Sequence, residues 1–207
     1  MSMKLGLMRG VIGVAVVALS IVGIASMPQA AEARAAEDAK PFQIDSVHSM
    51  VVFRIGHLGV SYTYGRFNSP TGTYNIDMAN PSASMIDITL DAEKVDTGNE
   101  RRDNHLRSPD FFNAKQFPTI TFKSTSFEKT GDKALKVRGK LTMLGVTKDV
   151  DANLDFVGEG ETQQGYKSGF ESNFTIKRSE FGMTKYLEGN SLGDEVTLYV
   201  TIEGVRK

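Results

Sequence analysis

Cysteine is absent from this 207-residue sequence, which excludes disulfides, thiol catalysis and thiolate metal sites together. A large core must therefore stabilise the fold without covalent help. Charge of one sign is missing too: 24 Lys and Arg stand against 25 Asp and Glu, a formal net charge of −1. Nucleic acids and anionic membrane surfaces select clustered Lys and Arg, so neither is expected as the main partner. Histidine is scarce, with only His48, His57 and His105. None has a partner at ligand spacing on a helix, and no metal site is expected.

A long hydrophobic run is also lacking. The apolar stretch from Val11 to Ser26 falls short of the roughly 20 residues of a membrane-spanning helix. Lys4 and Arg9 precede it, and the small-residue sites Ala31-Glu32-Ala33 and Ala33-Arg34-Ala35 follow it, in the order of a secretory signal. The expected organisation is an export signal at 1–33, a flexible leader at 34–41 and one domain at 42–207, placed outside the cytoplasm. An uncleaved N-terminal anchor is the alternative. Cleavage after Ala33 leaves 22 basic and 24 acidic residues, so no basic excess emerges.

What the sequence does have is period-two alternation. Val196, Leu198, Val200 and Ile202 alternate with Thr197, Tyr199, Thr201 and Glu203, the pattern of a strand with one buried face. The pattern recurs in Val51 to Ile55, Gly65 to Asp77, Ile86 to Leu90, Thr119 to Glu128, Leu135 to Thr142, Val150 to Phe156 and Phe170 to Ile176, about eight strands in all. Asn80-Pro81-Ser82, Thr130-Gly131-Asp132, Leu144-Gly145-Val146 and Glu159-Gly160-Glu161 read as hairpin turns between them. Sequential strands should then pair antiparallel. About eight up-and-down strands favour a closed all-β barrel, because closure removes the edges; a sandwich of two sheets is the alternative.

One segment departs from this rhythm. Asn99 to Ser108 is rich in Glu, Arg and Asn, lacks alternation and stops at Pro109, which predicts a short helix. Ser108-Pro109-Asp110 then resembles a cap and a turn leading into Phe111 and Phe112. Such a long connection between Val95 and Pro118 suits a lid over one barrel mouth. Arg101, Arg102, His105 and Arg107 crowd positive groups into it, either as a solvated helix face or as a site for an anionic or polar head group. Arg178 is a further candidate for that cluster.

Two other motifs carry less. Gly189-Asn190-Ser191-Leu192-Gly193 spells a nucleophile elbow, but the elbow needs a helix after it and a histidine later in the chain, and all three histidines lie upstream. Gly158 and Gly160 lack the third glycine of a dinucleotide fingerprint. Asp45 and His48 fit a local turn bond at least as well as chemistry.

Several blocks resemble the YceI-like family of bacterial periplasmic proteins: His48-Ser49, Phe53-x-Ile55, His57-Leu58-Gly59-Val60-Ser61 and Gly65-x-Phe67, then Asp103-x-His105-Leu106-x-Ser108-x-Asp110-Phe111-Phe112. Phe117-Pro118-x-Ile120-x-Phe122-x-Ser124, Gly139-x-Leu141-Thr142-x-Leu144-Gly145-Val146-Thr147 and Arg178-x-x-Phe181-Gly182 continue the match to the end of the chain. The resemblance implies an eight-stranded, lipocalin-like barrel in the periplasm, non-catalytic and without a cofactor, holding an isoprenoid quinone or prenyl phosphate in an internal tunnel. The tail is expected among Val51, Phe53, Ile55, Ile86, Ile88, Leu90, Phe122, Leu141, Phe170 and Phe174, and the head group near His48, His57, Arg102 and His105. Transient membrane contact and a homodimer are open expectations. The competing readings are a hydrolase or isomerase using His48 or His105 with Asp45 or Asp103, and a filled barrel that serves as a protein-binding surface.

Overall fold

The architecture is that of a computed structural model, which describes Ser2 and residues 40–206. The expected export signal at 1–33, apart from Ser2, and the leader up to residue 39 lie outside the described residues.

Eleven strands form one antiparallel sheet: β1 (Phe42–Ile44), β2 (Met50–His57), β3 (Ser61–Asn68), β4 (Thr71–Asn75), β5 (Met85–Asp91), β6 (Val95–Asp96), β7 (Thr119–Lys129), β8 (Ala134–Met143), β9 (Val146–Thr162), β10 (Gly165–Lys177) and β11 (Leu192–Arg206). Among the described residues one α-helix, α1 (Glu100–Arg107), interrupts them. The sheet closes because β1 pairs with β4 on one side and β11 on the other. Eight positions go round the barrel, since β1 and β2 succeed one another along β11, and β3 and β4 act as the next bent strand.

The alternation explains the closure. Along β8, Leu135, Val137, Leu141 and Met143 are buried while Arg138 and Lys140 are exposed. Outside, Lys136 meets Asp151 at 2.8 Å and Lys140 meets Asp149 at 2.9 Å, pairs that keep the outer face polar but add little stability. The two bends have chemical causes. Between β1 and β2, the buried Ser49 hydroxyl donates to the Glu203 carbonyl (3.1 Å) and accepts from the Glu203 amide (3.0 Å), replacing a ladder step that the kink removes. Between β3 and β4, Ser69 has φ 56° and Pro70 has no amide to donate.

The barrel has two unlike ends. Around β1, β4 and the β9–β10 hairpin the interior is solid with aromatic rings. Phe42 stacks on Tyr74 at 5.5 Å, Tyr74 meets Phe170 edge-on at 5.0 Å, and Tyr166 stacks on Phe42 at 6.1 Å. The Tyr74 hydroxyl donates to the Ser168 carbonyl at 2.6 Å, and burial pushes its pKa up to about 12. At the opposite end β3 diverges from β5, and the gap is met by β6, which pairs with Arg66 and Phe67, and by α1.

The predicted helix is present, with Asn99 and Ser108 as its caps: the Asn99 side chain accepts from the Arg102 amide at 3.0 Å. Phe111 follows in a turn, its amide donating to the Ser108 carbonyl at 3.0 Å. One expected turn is corrected. Glu159-Gly160-Glu161 lies inside β9, and the chain reverses at Gln163-Gln164 instead, because the polar residues mark the outward face of a long hairpin.

Candidate functional site

The half of the barrel near α1 is hollow. A cavity of about 550 Å³ runs along its interior, within the roughly 300–1,000 Å³ of small-molecule sites. Its walls are apolar side chains from β2, β5, β7, β8, β9, β10 and β11, while its mouth is ringed by His57, Leu58, Thr97, Arg102, His105, Tyr186 and Ser191.

Two glycines help keep the lumen open. Gly65 faces Phe53 across the β2–β3 pair, and a Cβ on it would come 2.2 Å from the Phe53 ring. Gly139 likewise makes room for Phe122, whose ring would stand 2.4 Å from a Cβ there. Without those methyl groups each ring lies back over the neighbouring strand rather than projecting across the cavity.

All ten residues expected around a lipid tail line this cavity. Of the four head-group candidates, His57, Arg102 and His105 line it, at the mouth. His48 does not. It lies at the bend between β1 and β2, with a side chain 52% exposed and Nδ1 2.9 Å from Asp45 Oδ2. The bond from His48, with one from the Val47 amide, holds the Asp45 carboxyl far below the ordinary carboxylate range. Glu203 completes a trio whose ligand atoms lie within 4.8 Å of one another, the spacing of a metal site. A resident cation meets it: the Lys167 ammonium bonds to both Asp45 and Glu203.

The cations of the lid segment separate into different tasks. Arg102 donates from Nε to the Thr97 hydroxyl (2.7 Å) and from Nη2 to the Thr97 carbonyl (2.8 Å), which sets its guanidinium on the rim. Arg107 turns away from the cavity and ties α1 to the carbonyls of Glu93 (2.7 Å) and Val95 (3.0 Å). Arg101 is exposed. Arg178 is almost wholly buried on the cavity wall, and it donates to the carbonyls of Gly193 (2.7 Å), Met183 (2.9 Å) and Leu192 (3.1 Å). Burial lowers its pKa, partly offset by the charge of Asp194. Its role in this geometry is to hold the 183–193 segment beside the mouth.

The histidine–carboxylate pairs differ from the expected ones in one respect. His105 pairs through Nε2 with Asp110 Oδ2 at 2.8 Å, and the Asp103 carboxylate accepts instead from the Thr97 amide and hydroxyl. Asp110 also receives Lys185 at 3.2 Å, and these two bonds lower its pKa. No histidine is hydrogen-bonded to Ser191 among the described residues, and β11 rather than a helix follows that serine. The glycine-flanked serine thus lacks the setting of a nucleophile elbow.

Sequence reasoning did not find Leu106, Phe111, Phe112, Met183, Tyr186 or Leu192 as cavity-lining residues. Phe112 closes an edge-on contact with Phe67 at 5.3 Å, and Phe111 packs on His105 at 5.0 Å. All but Leu192 lie in the helix and the loops, which carry no alternation; the paired apolar residues Phe111-Phe112 after the helix were the one visible signal.

Comparison with known proteins places this geometry. Residues 42–204 match the model of the YceI-like domain. A UPF0312 protein of Ectopseudomonas mendocina is 43% identical over 161 residues, covering 77% of this chain and 83% of that one. The crystal structure of a YceI protein of Campylobacter jejuni superposes with a TM-score of 0.66 at 33% identity, covering 73% of this chain and 90% of that one. A polyisoprenoid-binding domain from Saccharophagus degradans shares the fold, with a TM-score of 0.62 at 15% identity over 80% of this chain and 98% of that one.

Proposed function

This chain belongs to the YceI-like family, and we propose from that premise that it is a non-catalytic periplasmic carrier or store for a long isoprenoid lipid of the quinone or prenyl phosphate type. The observation that carries the reading is the cavity of about 550 Å³, apolar along its length and polar at its mouth. Each buried CH₂ or CH₃ of a tail contributes up to about 0.8 kcal/mol, so several isoprene units are retained without any charge on the protein. The tail lies against Phe53, Ile88, Phe122, Leu141 and Phe174, and the head group rests among His57, Arg102 and His105. The polyisoprenoid-binding domain of the same fold supports this assignment of ligand class. The charged-then-apolar order of the first 33 residues supports export.

The test is organic extraction of the protein purified from its native host, followed by mass spectrometry. A prenyl lipid at near one equivalent is the expected result. Repeated preparations without one, together with failure of the protein to take up geranylgeraniol, would sink the carrier reading.

A further inference from the structure

The turns at the two ends of the barrel differ in chemistry. Two at the solid end are polar, Gln163-Gln164 between β9 and β10 and Gly131-Asp132-Lys133 between β7 and β8, and the third, residues 76–84 between β4 and β5, is of mixed character. At the mouth, the tip of the β2–β3 hairpin presents Leu58 (58% exposed) and Val60 (84% exposed), and Tyr62 follows at 61%. Tyr186, 49% exposed, stands on the rim from the 183–191 segment. Leu58 and Tyr186 both have left-handed backbones, with φ of 54° and 60°, conformations that disfavour side chains of their size. The Leu58 amide donates to the Ser191 carbonyl at 3.1 Å, which fastens the hairpin tip to the segment carrying Tyr186. Strained backbone is thus maintained while apolar side chains stand in water.

Leu58 and Tyr186 belong both to the exposed patch and to the cavity wall, so apolar surface runs without a break from the outside into the lumen. Around it the charges are of both signs: Arg101, Arg102 and Lys185 stand with Glu100, Asp110 and Glu188 on the same segments. Tyr62 has the amphipathic ring favoured at a membrane interface, and the Arg54 guanidinium lies 4.3 Å from its centre. We propose that the mouth is a membrane-docking surface, at which the Leu58–Tyr62 hairpin tip and Tyr186 insert into the bilayer interface and bring the cavity opening against the lipid phase. This rests on the carrier reading, because a prenyl tail that crossed open water would forfeit the burial that holds it. Docking is driven by apolar insertion rather than charge, in keeping with the mixed-sign rim.

The test uses the protein in the form in which it accumulates in the cell, with Val60→Asp as the variant, since Val60 is outside the cavity wall. Cosedimentation is measured with phosphatidylcholine vesicles, with and without 30% phosphatidylglycerol as roughly a physiological anionic fraction. Wild type should bind both vesicle types similarly, and Val60→Asp should bind about tenfold more weakly. Detergent-delivered geranylgeraniol should bind the two proteins alike. Equal vesicle binding by wild type and Val60→Asp overturns the docking proposal and leaves the carrier reading standing. Binding only to anionic vesicles, or a Val60→Asp change from dimer to monomer with vesicle binding unaltered, also overturns it. Loss of vesicle binding in the variant, with geranylgeraniol refused by both proteins, upholds docking and removes the carrier reading instead.

Discussion

The solid end and the hollow end of this barrel are made from the same kinds of residue, yet the one closed by β1 and β4 is filled and the other is not. Phe170 belongs to both, packing edge-on against Tyr74 below and lining the cavity above. The difference lies in where aromatic rings are directed. At the solid end Phe42, Tyr74 and Tyr166 point across the interior and stack on one another. At the hollow end Phe53 and Phe122 fold back over Gly65 and Gly139. Tyr74 also lies over a glycine, Gly204, where a Cβ would come 2.6 Å from its ring, so small neighbours are common to both ends and the stack of three rings is what fills one of them.

Truncation should expose this contrast most strongly. Phe42→Ala removes a ring with no exposed surface and is expected to cost about 3–5 kcal/mol in urea denaturation, while Phe174→Ala on the cavity wall costs under about half of that. Equal costs would mean that the two ends are packed alike. In ligand titration the order reverses: Phe174→Ala weakens geranylgeraniol binding, and Phe42→Ala, where folded, does not.

Tyr74→Phe probes the solid end through one bond. Loss of the 2.6 Å contact leaves the buried Ser168 carbonyl without that donor, for a cost of about 1–3 kcal/mol near neutral pH. Its pH dependence follows from the raised pKa. The unfolded tyrosine ionises near 10.0 and the folded one near 12, so the wild type loses stability between those values at roughly 1.4 kcal/mol per pH unit from this group. The gap between wild type and Tyr74→Phe should therefore close above pH 10, as read from paired denaturation curves; a constant gap would break the assignment.

Gly139→Ala sharpens the comparison at the hollow end. The added methyl would meet the Phe122 ring at 2.4 Å and the Lys123 carbonyl oxygen at 2.8 Å, so the ring and the β7–β8 pair both shift. Geranylgeraniol affinity should fall about tenfold, and stability should drop by about 1–3 kcal/mol. Unchanged affinity would show that ring placement does not govern the lumen.

The smallest effect is expected at the bend between β1 and β2. Asp45→Asn should lower the melting temperature slightly at neutral pH. Because the folded pKa of Asp45 lies below 3.8, its contribution is present above that value and fades as the pH falls through the folded pKa. Melting curves of the two proteins should therefore converge in strong acid.

Alternation made the strands and the closed barrel legible, most plainly in β8 and β11, and Asn99 marked the start of α1. It did not reveal the bends, because Ser49 acts there through its hydroxyl on the Glu203 backbone, a bond with no periodic signature. Nor did it locate the Gln163-Gln164 reversal, since outward polar residues of a strand and turn residues look alike. The ten side chains expected around a tail were readable as inward positions, and they line the cavity. His48 was not readable, because a histidine near a strand carries no mark of which bend it faces.

The aromatic plug of Phe42, Tyr74 and Tyr166 turns the interior into a cul-de-sac. Under the proposed carrier reading, cargo leaves such a vessel by the door through which it came, and the described residues offer no second opening for throughput. On that reading each trip carries one load, and the rate of delivery follows how often the same aperture visits donor and acceptor.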